Sequence, residues 1–177
     1  MKEFRIHGRG GQGAVTTAEL LALAAIEEGL YAQAFPSFGP ERRGAPVMAF
    51  ARVSEGRIRI RSKVVEPDVV VVLDASLLEL VAVEEGLRGE GLVVANASSG
   101  GEFGKRLKGG QRLVTLDASA IAREVLGRPI TNTTMIGALV KVTGVVRLES
   151  LEGPLRERFG RLAERNFEAM KRAYEAV

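Results

Sequence analysis

The chain has 177 residues, a mass of 19.0 kDa and a 46% hydrophobic composition, enough for one domain with a real core. A formal net charge of +3, with 27% charged residues and no polybasic block, is too mild for a dedicated nucleic-acid binder. The absence of cysteine excludes disulfides, thiolate-held iron-sulfur clusters and a thiol nucleophile, so any redox centre must belong to another molecule.

Met1-Lys2-Glu3-Phe4 runs directly into a strand pattern, and no run approaches the ~20 apolar residues of a membrane span, so a soluble cytoplasmic protein is expected. The strand (Phe4, Ile6) closes on Gly8-Arg9-Gly10-Gly11-Gln12-Gly13, which opens a helix over Ala14 to Glu28 that Gly29 stops. Four glycines in six residues expose backbone N–H groups at a helix start and let a partner come close, which makes an anion-binding turn. Gly8, Gly10 and Gly13 also fit G-x-G-x-x-G. A dinucleotide site would need an acid roughly 20 residues on, and Leu30-Tyr31-Ala32-Gln33-Ala34-Phe35 has none. A P-loop would need Lys followed by Ser or Thr where Ala14-Val15 stand. A phosphate contact, a turn admitting a partner subunit and a purely structural turn all stay open.

Leu30 to Phe35 reads as a short strand, and residues 36–46 hold too many prolines and glycines for regular structure. Val47 to Val53 and Arg57 to Lys63, joined by Ser54-Glu55-Gly56, read as an antiparallel hairpin. Its second arm alternates Arg57, Arg59, Arg61 and Lys63 with Ile58 and Ile60, giving a basic face that suits solvent or an acidic partner. Beyond Val64 come apolar runs of the parallel-sheet kind, Val69 to Leu73, Gly91 to Ala95 and Arg112 to Leu116. They end in Asp74-Ala75-Ser76, Asn96-Ala97-Ser98 and Asp117-Ala118-Ser119, whose first side chains suit helix or turn capping. Thr131 or Asn132 is a candidate N-cap for the apolar helix Met135 to Val142. Leu151, Leu155, Phe159, Leu162, Phe167, Met170 and Tyr174 mark one broken amphipathic helix or two consecutive ones. His7, the single histidine, reads as structural, since no second His, no Cys and no carboxylate cluster could complete a metal site. Ser76 and Ser119 have no evident base, and no G-x-S-x-G occurs. No catalytic residue and no metal ligand is expected on this chain.

His7 to Val15, Phe35-Pro36-Ser37-Phe38-Gly39-Pro40-Glu41-Arg42-Arg43-Gly44-Ala45-Pro46, Glu66-Pro67-Asp68-Val69 and Ile130-Thr131-Asn132-Thr133 together resemble the gamma chains of 2-oxoacid:ferredoxin oxidoreductases. The likeness runs from Lys2 to the C-terminal helices, and it is similar for the pyruvate gamma subunit and for the gamma chain shared with the 2-ketoisovalerate enzyme. The resemblance implies a complex that oxidatively decarboxylates a 2-oxoacid with coenzyme A (CoA), giving acyl-CoA, carbon dioxide and reduced ferredoxin. It implies alpha, beta and delta partner subunits, which carry thiamine diphosphate with Mg and the 4Fe-4S clusters, while the gamma chain alone binds no cofactor and is inactive. Within such a complex, Gly8, Arg9, Gly10, Gly11, Gln12, Gly13, Glu41, Arg42, Arg43, Gly44, Asn132 and Thr133 are the candidate binding residues. Backbone N–H groups and guanidinium groups on one sheet edge are expected to face the thiamine-bearing subunits and help shape the CoA entrance, with Arg42 and Arg43 as charge contacts. An internal pairing of Glu41 with the arginines is the bland alternative. An indolepyruvate:ferredoxin oxidoreductase subunit and a free-standing nucleotide-binding module are the rival functions. The expected fold is a single three-layer α/β domain over residues 1–177, with a mixed, mostly parallel sheet containing one antiparallel hairpin.

Overall fold

The computed structural model describes residues 1–37 and 44–177. Glu41, Arg42 and Arg43 therefore lie outside the described residues. Six strands form one sheet: β1 (Lys2–Arg9), β2 (Tyr31–Pro36), β3 (Pro46–Ser54), β4 (Val69–Val72), β5 (Leu92–Asn96) and β6 (Arg112–Leu116), in the order β2-β3-β1-β4-β5-β6. The pairs β1/β4, β4/β5 and β5/β6 are parallel. β3 is antiparallel to both β1 and β2.

Period-two alternation divides the core between two faces. Phe4, Ile6, Val69, Val71, Leu92 and Val94 meet a layer of helices, α1 (Ala14–Glu27), α3 (Ala118–Leu126), α4 (Thr131–Thr143), α5 (Glu152–Phe159) and α6 (Ala163–Glu175). Val70, Val72, Val93 and Ala95 point the other way. They are covered by Leu77 and Leu78 of the short α2 (Leu77–Leu80), by Val83 and Leu87, and by Phe103 of a 3-10 turn, Gly101–Arg106. Two buried faces explain why β4 and β5 read as uninterrupted apolar runs, each Val side chain adding roughly 1.5–3 kcal/mol of burial. The three-layer mixed sheet is the architecture the sequence predicts.

The antiparallel hairpin is present but its arms differ from the expected ones. Residues 57–63 form no strand; β3 instead slots between β1 and β2, and the hairpin is β2 with β3. The reason lies in side-chain competition for the backbone of that segment. The Arg52 guanidinium donates to the carbonyls of Ser62 at 2.7 Å and Ile60 at 3.5 Å, and Gln33 Nε2 donates to that of Ile58 at 3.5 Å. Arg52 is 1% exposed and also donates to Glu3 Oε1 at 2.8 Å, so the segment is pinned over a buried ion pair without joining the sheet.

α1 buries Ala14, Thr17, Ala18, Leu21, Ala24 and Ala25 at helical spacing, and it ends before Gly29. α5 and α6 are two consecutive helices separated at Gly160. α4 is buried from Thr131 to Val140 and crosses α6 so closely that a Cβ on Gly137 would fall 1.8 Å from the Met170 carbonyl oxygen. Among the described residues, no helix is long and apolar enough to cross a membrane.

Candidate functional site

Because β1 and β2 both run antiparallel to β3, they run in one direction, and the turns that follow them share the carboxyl edge of the sheet. They are not adjacent strands. The contact between the turns is nevertheless direct: Gly10 N–H donates to the Ala45 carbonyl at 2.9 Å, and Gly44 N–H donates to the Gly10 carbonyl at 3.2 Å. The Arg9 guanidinium reinforces it by donating to the Gly44 carbonyl at 3.0 Å and to Ser76 Oγ at 2.7 Å.

The glycine turn is further tied to β4. Gln12 Oε1 accepts from Arg9 N–H at 2.7 Å while Gln12 Nε2 donates to Asp74 Oδ2 at 2.7 Å. Burial pushes the Asp74 carboxyl up, but hydrogen bonds from Ser76 and Gln12 and the nearby Arg9 charge outweigh it and hold the pKa below its usual value. Arg9 and Gln12, both candidate ligand residues, therefore spend their side chains on shaping the turn.

Beside this turn lies a cleft of about 760 Å³ at the carboxyl ends of β1, β4, β5 and β6. Its walls come from Gly11 to Gly13 and from all three repeated strand-end sequences, including Asp74, Asn96 and Asp117. Those junctions were legible as capping chemistry, and each does satisfy backbone groups. Asp117 Oδ1 accepts from Ala120 N–H at 2.8 Å, Asp74 Oδ1 from Ser76 N–H at 3.0 Å, and Asn96 Oδ1 from Ser119 N–H at 3.2 Å. Asn96 Nδ2 also donates to the Leu73 carbonyl at 2.9 Å and so fixes β4 to α3. That these three junctions line one cleft follows from parallel neighbours; sequence reasoning saw the echo and missed its convergence.

Two helix starts open on the cleft without side-chain caps. α1 begins after Gly13, in the left-handed region at φ 81°, and α4 begins after Ile130. The expected capping by Thr131 or Asn132 does not occur, because both already lie inside the first turn of α4. Asn132 lines the cleft at 6% exposure, and its Oδ1 is buried without a hydrogen-bond partner. The two helix starts touch: a Cβ on Gly13 would stand 2.6 Å from Asn132 Nδ2, so only glycine admits this approach. Free N–H groups, two positive helix ends and an amide suit an oxyanion. Thr133 is fully buried and donates from Oγ1 to Asn166 Oδ1 at 2.8 Å, which places it between α4 and α6, outside the cleft lining. Gly8 sits within β1, opposite Val47.

His7 stands apart from the cleft lining. Its Nε2 accepts from Arg5 Nε at 3.1 Å, and burial, helped by the Arg5 charge, lowers its pKa to about 3. Arg5 in turn donates to the carbonyls of Val83, at 2.9 Å, and Glu85. A neutral imidazole locked this way is structural. Among the described residues, no three His, Cys, Asp or Glu side chains are grouped so as to hold a metal ion.

Residues 3–176 match the family described as pyruvate ferredoxin/flavodoxin oxidoreductase. The chain belongs to this family. A pyruvate/ketoisovalerate oxidoreductases common subunit gamma from Pyrococcus furiosus is 53% identical over 178 residues, spanning 99% of this chain and 96% of that one. Pyruvate synthase subunit PorC of Methanothermobacter thermautotrophicus is 53% identical over 179 residues, 100% of this chain and 96% of its own. The crystal structure of the pyruvate oxidoreductase subunit PORC from Thermotoga maritima superposes with a TM-score of 0.86 at 41% identity, covering 98% and 95% of the two chains. These three relatives are subunits of near-equal length, and the Thermotoga maritima subunit shares the fold.

Proposed function

We propose that this chain is the gamma subunit of a multisubunit pyruvate or 2-oxoacid:ferredoxin oxidoreductase. Near-complete coverage of relatives named as gamma or PorC subunits supports the reading. Names carrying pyruvate and ketoisovalerate favour it over an indolepyruvate subunit, and coverage of whole subunits favours it over a free-standing nucleotide-binding module. Alpha, beta and delta subunits carry the thiamine diphosphate, Mg and 4Fe-4S clusters and pass electrons to ferredoxin. This chain supplies neither thiolates for a cluster nor a grouped ligand set for Mg among its described residues. The assembly works in the cytoplasm.

The carboxyl edge of the sheet faces the thiamine-bearing subunits and shapes the CoA entrance. One observation carries this: the uncapped starts of α1 and α4 meet at a single cleft, where backbone N–H groups and the Asn132 Nδ2 donor stand together. CoA, when bound, supplies the thiol that accepts the acyl group. The N–H groups after Gly13 and at the start of α4 hold a phosphate of the incoming CoA, and Asn132 orients it. The Arg9, Gln12 and Asp74 network keeps the glycine turn in place, with Glu41, Arg42, Arg43 and Gly44 as the neighbouring rim and the two arginines as charge contacts.

The test uses the assembled complex carrying Asn132→Asp, or Arg42→Ala with Arg43→Ala. A carboxylate in the first turn of α4 is compatible with the helix dipole, so the fold survives while an incoming phosphate is repelled. The apparent KM for CoA rises about tenfold, near 1.4 kcal/mol, with a smaller change in kcat. Unchanged CoA affinity and unchanged assembly in both variants refute the assignment.

A further inference from the structure

Residues 57–63 lie away from the cleft. β3 ends at Ser54, opposite the start of β1, so the segment leaves from the amino edge of the sheet. Arg57, Arg59, Arg61 and Lys63 are all exposed, and none has a carboxylate partner among the described residues. No acid occurs between Gly56 and Val65.

Four like charges at every second residue of an open segment repel one another, and solvation would scatter them unless the backbone were held. It is held. The carbonyls of Ser62 and Ile60 accept from the buried Arg52 guanidinium, which is itself fixed by Glu3 and stacked over the Phe35 ring at 5.3 Å. Anchoring through the backbone leaves the cationic side chains free for something outside the chain. Ile60 and Val65 beside them are 45% and 61% exposed, an apolar contribution that favours a protein surface over a polyphosphate backbone. The segment has no aromatic side chain on which a nucleobase could stack. Three of the four cations are arginines, whose planar forks match carboxylates.

We propose that residues 57–63 form a docking arm for a carboxylate-rich surface on another subunit of the oxidoreductase complex. The inference rests on the reading of this chain as a subunit. Arg52 and Glu3 set the arm's path, the four cations engage acidic side chains of the partner, and Ile60 with Val65 seals the contact against water.

The experiment compares the co-expressed complex bearing wild-type chain with one bearing Arg57→Gln, Arg59→Gln, Arg61→Gln and Lys63→Gln. Exposed side chains contribute little to the fold, so the variant chain alone melts within about 2 °C of its parent. In the complex, the Kd for this subunit rises about tenfold or more, and dissociation becomes less steeply dependent on salt. A zero-length carbodiimide reaction on the wild-type complex joins Lys63 to an Asp or Glu of another subunit. Unchanged affinity and salt dependence, a Lys63 link confined to this chain, or loss of heparin binding alone would overturn the proposal. If no complex forms with the wild-type chain, the subunit reading fails; if it forms and ignores the arm, only this inference does.

Discussion

Gly13→Ala tests the contact on which the cleft depends. Alanine at φ 81° meets the left-handed penalty of about 1–2 kcal/mol. Its Cβ would also stand 2.6 Å from Nδ2, 3.0 Å from Cγ and 3.2 Å from Cβ of Asn132. Relieving that overlap inside a buried helix start costs about 1–3 kcal/mol. The sum is about 2–5 kcal/mol, which for a chain of this size lowers the melting temperature by roughly 4–20 °C. Gly11→Ala separates the two parts, since φ is 94° there and a Cβ meets nothing within 4 Å. It bears only the backbone penalty of about 1–2 kcal/mol. Calorimetry on Gly13→Ala, Asn132→Ala and the double variant closes the cycle: with the Asn132 amide gone, Gly13→Ala recovers about 1–2 kcal/mol. Strict additivity, or a Gly13→Ala chain that melts with the wild type, would refute the claim that α1 and α4 meet here.

Gly137→Ala puts a Cβ 1.8 Å from the Met170 carbonyl oxygen and forces α4 off α6; chemical denaturation should show a loss above about 3 kcal/mol, and a smaller change than about 1 kcal/mol would contradict that packing. His7 gives a pH signature. Its folded pKa of about 3 lies below the ordinary histidine value of 6.5, so between these values the unfolded state binds the extra proton and stability falls as pH falls. The slope approaches about 1.4 kcal/mol per pH unit, and His7→Gln, which retains an acceptor for Arg5, flattens it in urea melts at pH 6 and pH 4. An identical slope in the variant would remove His7 as the cause.

Much of the fold was legible because the relevant signals are local. Val69 to Val72 and Leu92 to Ala95 are apolar on both faces, which only a strand covered on both sides requires, and Gly29 marks a helix end. The strand pairing of the amino-terminal half was not local. Alternating Arg57 to Lys63 has the period of a strand, yet Arg52, ten residues before Ser62, takes its carbonyls, and Pro46 to Ser54 fills the place beside β1. The site was half legible. Its glycine turn announced exposed N–H groups, whereas the uncapped start of α4 could not be read, because Thr131 and Asn132 look like caps until the helix is seen to begin at Thr131. The bracing bonds of Arg9 could not be read either, since Gly44 is 35 residues away in sequence and adjacent in space.

The central claim is that this polypeptide shapes and positions chemistry performed on other chains. Anaerobic purification from its source cell, followed by CoA-dependent viologen reduction with several 2-oxoacids, tests it most directly. The chain is expected to elute in a larger active assembly and to be inactive once separated. A free monomer in the native extract, or 2-oxoacid oxidation by the lone chain, would contradict it.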